Sequence, residues 1–138
     1  MREILFRGKR LDNGEWVYGS FIQVEHEDGS FKTAIFQKKD AGGDAEVSPA
    51  TVGQYTGLND KNGKRIFEGD VVVCRQEIAG NFIDCHIEIG FVEMKHGAFG
   101  LHRKQGYYRP FKDWLENYEY EVIGNIHDNP ELLKGGDD

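Results

Sequence analysis

Two short stretches of the chain carry side chains whose types and spacing could do chemistry. In the first, Asp84, His86 and Glu88 alternate with Cys85, Ile87 and Ile89, so that on a β-strand the imidazole and the two carboxylates share one face. One histidine with two carboxylates is a donor set for zinc or manganese, and a small metal-dependent hydrolase could be built on it. Structural zinc prefers more cysteine and histidine at close spacing, and a solvated charged strand face gives the same alternation, so no cofactor is expected. In the second stretch, His102, Arg103, Lys104, Arg109 and Lys112 surround Tyr107, Tyr108 and Phe111. Arg103, Lys104, Tyr107, Tyr108 and Arg109 are the candidate binding residues. Rings stack on the bases of single-stranded nucleic acid while cations meet its phosphates, and protein interfaces are enriched in the same residue types. A loop whose rings fold back onto the core is the third reading of this stretch.

Other patterns carry less. Gly57, Gly63 and Gly69 have the look of a phosphate cradle, but a P-loop needs Gly-Lys-Ser/Thr leading into a helix, and Gly63-Lys64-Arg65-Ile66 leads into a strand. Neither Cys74 nor Cys85 has a nucleophile's neighbours, and Cys74 sits inside an apolar run. Glu119 and Glu121 flank Tyr120 as an exposed strand face would. His26, His96, His102 and His127 are scattered without ligand spacing.

These residues need a frame of 138 residues, long enough to bury a core without disulfides or a structural metal. One domain, 1–138, is the default, with two packed β lobes, 1–50 and 51–134, as the alternative, and 135–138 as a disordered tail. The net charge of −7 excludes wholesale wrapping by nucleic acid, which demands a basic face, and leaves room for a local basic patch. No stretch reaches the ~20 apolar residues of a membrane span, and Met1 to Arg7 is too short and charged for a signal peptide. A cytoplasmic location follows as the expectation, and two cysteines without framework spacing agree with it.

The 18 glycines against only three prolines predict many turns. Asp12-Asn13-Gly14 closes a hairpin over Ile4 to Ile22, and Asp28-Gly29 closes a second between Val24 and Phe31-Thr33-Ile35. Lys38 to Glu46 loses apolar periodicity and reads as a loop. A third tight turn, Asn62-Gly63, lies within Tyr55 to Asp70. Glu68-Gly69-Asp70 then turns into Val71-Val72-Val73-Cys74, the first long strand of an SH3-like barrel, with Asp70 bonding backbone amides in the turn. Ile87 to Lys95, with Gly90 as a bulge or bend, and Ala98 to His102 are its next strands. Lys112 to Asn117 could make one or two helical turns, Tyr118 to Ile126 is strand, and Asn129 as N-cap with Pro130 starts a short C-terminal helix. The fold class is therefore mainly β, small and hairpin-rich, with an SH3-like barrel element. Phe6, Gly8, Asn13, Gly14, Val17 and Tyr18 also echo Tyr55, Gly57, Asn62, Gly63, Ile66 and Phe67, as two Asn-Gly hairpins, or two related lobes, would.

Three blocks together resemble the YopX family of phage- and prophage-encoded proteins. They are Met1 to Arg10 with Trp16-Val17-Tyr18-Gly19, the run from Thr51-Val52-Gly53-Gln54-Tyr55-Thr56-Gly57 to Glu68-Gly69-Asp70, and Val122-Ile123-Gly124-Asn125-Ile126-His127-Asp128-Asn129-Pro130-Glu131-Leu132-Leu133. Where that family often has Tyr-Glu before its closing Asn-Pro-Glu-Leu, this chain has His127-Asp128. The resemblance implies a β-rich fold and a phage or prophage origin in a bacterium, and it transfers no catalytic residue. The expected function is that of a non-enzymatic accessory protein acting by protein binding or self-association. Single-stranded nucleic-acid binding and a metal-dependent hydrolase are the alternatives.

Overall fold

The computed structural model describes residues 3–37, 43–78, 81–103, 108–111 and 118–134, with only the backbone over 76–87. The chain divides into two compact units, Met1–Gly57 and Leu58–Asp138.

In the first unit, β1 (Phe6–Lys9), β2 (Trp16–Glu25), β3 (Phe31–Phe36), β4 (Asp44–Glu46) and the start of β5 (Gly53–Asn59) lie in the order β4-β3-β2-β1-β5. Both expected hairpins form. Asn13 Oδ1 accepts the Glu15 N–H at 2.9 Å in one turn, and Asp28 Oδ1 accepts the Ser30 N–H at 2.9 Å in the other. The two hairpins share β2 as one long strand. Val17, Ile35, Ala45 and Val47 form the core, with Phe6 and Val52 packed against it. The stretch expected as loop through Glu46 ends instead in β4, paired to β3 by Ile35 opposite Ala45. One inward alanine between two exposed acids is too short a pattern for alternation to be visible in sequence.

In the second unit, the end of β5 and β6 (Arg65–Phe67) make a hairpin. β7 (Asp70–Ile78), β8 (Asn81–Lys95), β9 (Ala98–Arg103), β10 (Tyr108–Pro110) and β11 (Tyr118–Asn125) make an antiparallel sheet in the order β10-β9-β8-β7-β11. Ile66, Val72, Cys74, Val92, Leu101, Phe111 and Tyr120 are its core. The expected SH3-like barrel is not closed: β7, β8 and β9 are neighbours as expected, but the sheet is open. Closure requires the two edge strands to pair. Here β10 is three residues ending at Pro110, and the edge of β11 is taken by the Asp60–Lys61 turn, whose Lys61 N–H donates to the Tyr120 carbonyl at 2.9 Å.

Gly90 is not the bulge. The register of β7 against β8 shifts between Arg75, opposite Ile87, and Gln76, opposite Ile83. The expected C-terminal helix is a 3-10 turn, Pro130–Leu133, and the Asn129 side chain makes no cap bond. Instead Asn129 Oδ1 accepts the Asn125 N–H at 3.2 Å, which removes it from capping. The helical turns expected over Lys112 to Asn117 and the tail 135–138 lie outside the described residues. Among the described residues, no helix is long and apolar enough to cross a membrane.

Candidate functional site

The glycine-rich centre, Tyr55 to Asp70, is organised by two buried carboxylates. Asp60 is 7% exposed. Its Oδ1 accepts the N–H groups of Asn62 and Lys64, each at 2.9 Å, and its Oδ2 accepts the Val122 N–H at 3.0 Å. Burial pushes the carboxyl's pKa up, but the amides of Val122, Lys64 and Asn62 and the Lys64 charge outweigh it and hold the group below the ordinary aspartate value. Gly63, at φ 82°, supplies the left-handed position that lets this turn close around the carboxylate.

Asp70 is 2% exposed, and its Oδ2 accepts the Phe67 N–H at 2.8 Å, as the turn chemistry requires. Between them Gly69, at φ 89°, donates its N–H to the Val92 carbonyl and accepts the Ile126 N–H, both at 2.8 Å. The closing motif is built the same way: Asn125 Oδ1 accepts the N–H groups of His127 at 3.0 Å and Asp128 at 2.9 Å. A Cβ on Gly124 would lie 2.6 Å from Asn129 Oδ1. Side chains that hold backbone amides in this way fix chain direction, which is anchoring rather than catalysis.

The two sequence-derived constellations meet each other. Arg103 Nη1 lies 2.7 Å from Glu88 Oε1, so one cation of the binding set is held by one carboxylate of the metal set. Register puts both on the face of the sheet that carries Val72 and Cys74, with Gly90 opposite Arg103 and Cys74 opposite Glu88. Arg109, opposite Leu101, shares that face. Tyr108 lies opposite His102 and takes the other face, where its hydroxyl donates to the Ala98 carbonyl. Phe111 is buried against Tyr120, ring centroids 5.2 Å apart. The described members of the basic–aromatic stretch are therefore split between two faces, and Lys104 and Tyr107 lie outside the described residues. The side chains of Asp84, Cys85 and His86 lie outside them too.

Cys74 is 1% exposed. Burial, with the nearby Glu88 charge adding to it and Arg109 opposing it, pushes the thiol's pKa up to about 12. The same burial raises the Tyr120 hydroxyl beside it. In a Cys85→Ser background, Cys74 is expected to resist an alkylating agent at pH 8 until the chain is unfolded by denaturant. Labelling of the native protein at the rate of the unfolded one, read by mass spectrometry, would contradict the core role.

Glu119 and Glu121 are not a bare exposed face. Arg75 Nη1 lies 3.3 Å from Glu121 and 3.9 Å from Glu119, and Lys61 Nζ lies 3.5 and 3.8 Å from the same carboxylates. This balanced network borders a shallow cleft lined by Leu58, Asp60, Lys61, Tyr118 and Glu119.

Sequence reasoning missed the surface of the β2–β3 pair. Tyr18 (46% exposed), Val24 (44%) and Phe36 (51%) stand out from one face of it, and Phe21 (41%) and Phe31 (59%) lie on the other. Alternation signalled strands, with Phe31, Thr33 and Ile35 alternating after the turn, and only the latter two are buried. An apolar residue at each end of a strand carries no mark of whether a neighbour reaches far enough to cover it.

Turn-anchored, open antiparallel sheets with their recurrent glycine and Asn-Gly positions spent on backbone geometry define an all-β protein. The chain belongs to the YopX family: the model for "YopX protein" matches residues 5–134. Among solved structures, that of the yopX protein from Bacillus subtilis is similar at TM-score 0.57 and 17% identity, covering 98% of this chain and 98% of that one. The crystal structure of protein EF1440 from Enterococcus faecalis is similar at TM-score 0.54 and 23% identity, covering 97% of this chain and 100% of that one. At these identities the likeness is one of fold. No curated protein matches the chain.

Proposed function

We propose that this chain is an accessory protein of a phage or prophage that acts by non-enzymatic protein contact, a second copy of itself included, through the β2–β3 pair. The observation that supports this reading is the row of three large apolar side chains, Tyr18, Val24 and Phe36, on one face of two adjacent strands, each at least 44% exposed. Scattered apolar residues are ordinary on a protein surface, but a contiguous group marks a contact site. The nucleic-acid reading draws less support, because Arg103 is engaged by Glu88 and stands on the opposite face from Tyr108.

The test is a pull-down with tagged wild-type chain and with a Val24→Glu, Phe36→Glu variant, in host extract supplemented with untagged chain. Any protein held stoichiometrically by the wild type should be lost from the variant. Equal retention by both would sink the reading. Oligonucleotide binding at low salt that vanishes in Arg103→Ala, Arg109→Ala protein would replace it with the nucleic-acid alternative.

A further inference from the structure

Asn13-Gly14 and Asn62-Gly63 are the two Asn-Gly pairs of the chain, and both lie exposed at the ends of hairpins. Glycine after asparagine leaves its own backbone nitrogen unscreened, because it carries no side chain. That nitrogen, once hydroxide has taken its proton, adds to the asparagine Cγ. The new C–N bond closes a succinimide ring as the Cγ–Nδ2 bond breaks, and ammonia leaves with a proton drawn from water. Water then opens the ring at either carbonyl to give aspartate or isoaspartate, with no change of oxidation state.

Ring closure needs the nitrogen to swing toward Cγ, so the turn must open first, and the two turns differ in what resists opening. At Asn13 the Gly14 N–H donates to the Arg10 carbonyl at 3.0 Å, and the Glu15 N–H donates to Asn13 Oδ1 at 2.9 Å. Both bonds lie inside the turn. Its tie to another strand, the Leu11 N–H to the Glu46 carbonyl at 3.1 Å, holds the residue where the turn begins and leaves Asn13 and Gly14 beyond it. At Asn62 the Gly63 N–H donates to the Asp60 carbonyl at 2.9 Å, and the N–H groups on either side of it, those of Asn62 and Lys64, share Asp60 Oδ1. The same carboxylate accepts the Val122 N–H, and the Lys61 N–H donates to the Tyr120 carbonyl. Freeing Gly63 therefore works against charge-assisted bonds to a carboxylate anchored on β11. Freeing Gly14 leaves the tie to Glu46 in place.

We propose that Asn13 is a site of spontaneous deamidation in the folded protein, with water as the co-reactant, and that the Asp60 carboxylate shields Asn62 from the same reaction. The product sets one further negative charge beside Asp12, whose carboxylate lies 2.7 Å from Arg10 Nη2. Aspartate at position 13 keeps an oxygen for the Glu15 N–H. Isoaspartate runs the backbone through the former side chain and removes that acceptor, so it loosens the hairpin where aspartate does not.

Purified chain held at mildly alkaline pH and sampled over days by peptide mapping and mass spectrometry is expected to convert at Asn13 about tenfold faster than at Asn62, since local opening governs the rate. In denaturant the two sites should react alike, because glycine follows both. Asp60→Asn, with circular dichroism matching the wild type, should speed conversion at Asn62 several-fold and leave Asn13 unchanged. Amide exchange in the wild type gives a check free of any substitution: the Gly14 N–H should exchange faster than the Gly63 N–H by about the same factor. Equal conversion at the two asparagines of the folded chain overturns the proposal, as does an Asn13 that reacts only in denaturant. An Asn62 indifferent to Asp60→Asn, or a Gly63 N–H that exchanges as fast as that of Gly14, overturns the shielding by Asp60.

Discussion

Replacing Asp60 by alanine is expected to lower the unfolding free energy by about 2–3 kcal/mol, because it removes the charged acceptor shared by three backbone donors. The carboxylate accepts the N–H groups of Asn62 and Lys64 inside its own turn and that of Val122 on β11. The last of these joins residues far apart in sequence, so its loss frees the edge of the five-stranded sheet as well as loosening a hairpin. Urea unfolding followed by circular dichroism measures the change, and a loss below 1 kcal/mol, on the order of a surface substitution, would refute the anchoring role.

The same carboxylate gives a pH signature. Its folded pKa lies below the ordinary value of 3.8, so the unfolded chain takes up its proton first as the solution is acidified. The stabilisation is fully present above the unfolded pKa and is lost as pH falls through that value toward the folded one. Asp60→Asn keeps one acceptor oxygen and removes the charge. The stability gap between wild type and Asp60→Asn should therefore be constant near neutrality and shrink below about pH 4. A gap that widens on acidification would contradict the sign.

Gly90→Ala is expected to cost about 3 kcal/mol, although it adds a single methyl group. A Cβ at Gly90 would fall inside contact distance of the His102 carbonyl oxygen and 2.9 Å from the Arg103 Cα. Both obstacles are backbone of β9, and they cannot withdraw without opening the β8–β9 ladder at its Gly90–Arg103 end. Gly14→Ala is the control. Its φ of +73° is strained for alanine, but nothing lies within 4 Å, so the cost should be about 1 kcal/mol. If thermal unfolding shows the two variants equally destabilised, close backbone approach is not why residue 90 is glycine.

Gly90 also shows where sequence reading reached its limit. Glycine within a strand signals either a bulge or a close approach, and the two are indistinguishable without the partner strand. The third strand's distance decided it. The SH3-like barrel failed for a related reason: the strands after Gly69 were legible from their apolar runs, but whether the last edge meets the first depends on twist and on what else occupies the edges. Asp60 was visible only as one more turn residue, since its bond to Val122 is long-range.

For the candidate sites, alternation grouped residues of a single strand and had no means of seeing across strands. Glu88 and Arg103 stood in two different hypotheses and are each other's ion-pair partner. Tyr108 and Arg109 are neighbours in sequence and, for that reason alone, stand on opposite faces of the sheet.

By itself the sequence determined the β class, the hairpins closed at Asn13-Gly14, Asp28-Gly29 and Asn62-Gly63, Asp70's role in its turn and, through three motif blocks, the family. Each is local, set by the few conformations that glycine, Asn-Gly and alternating side chains allow. Tertiary structure alone decided that the sheets stay open, that Asp60 ties its turn to β11, that the charged candidates pair with one another, and that Tyr18, Val24 and Phe36 are left uncovered. Those outcomes depend on which strands lie side by side and where each one ends, and a side chain carries no record of the strand that will face it.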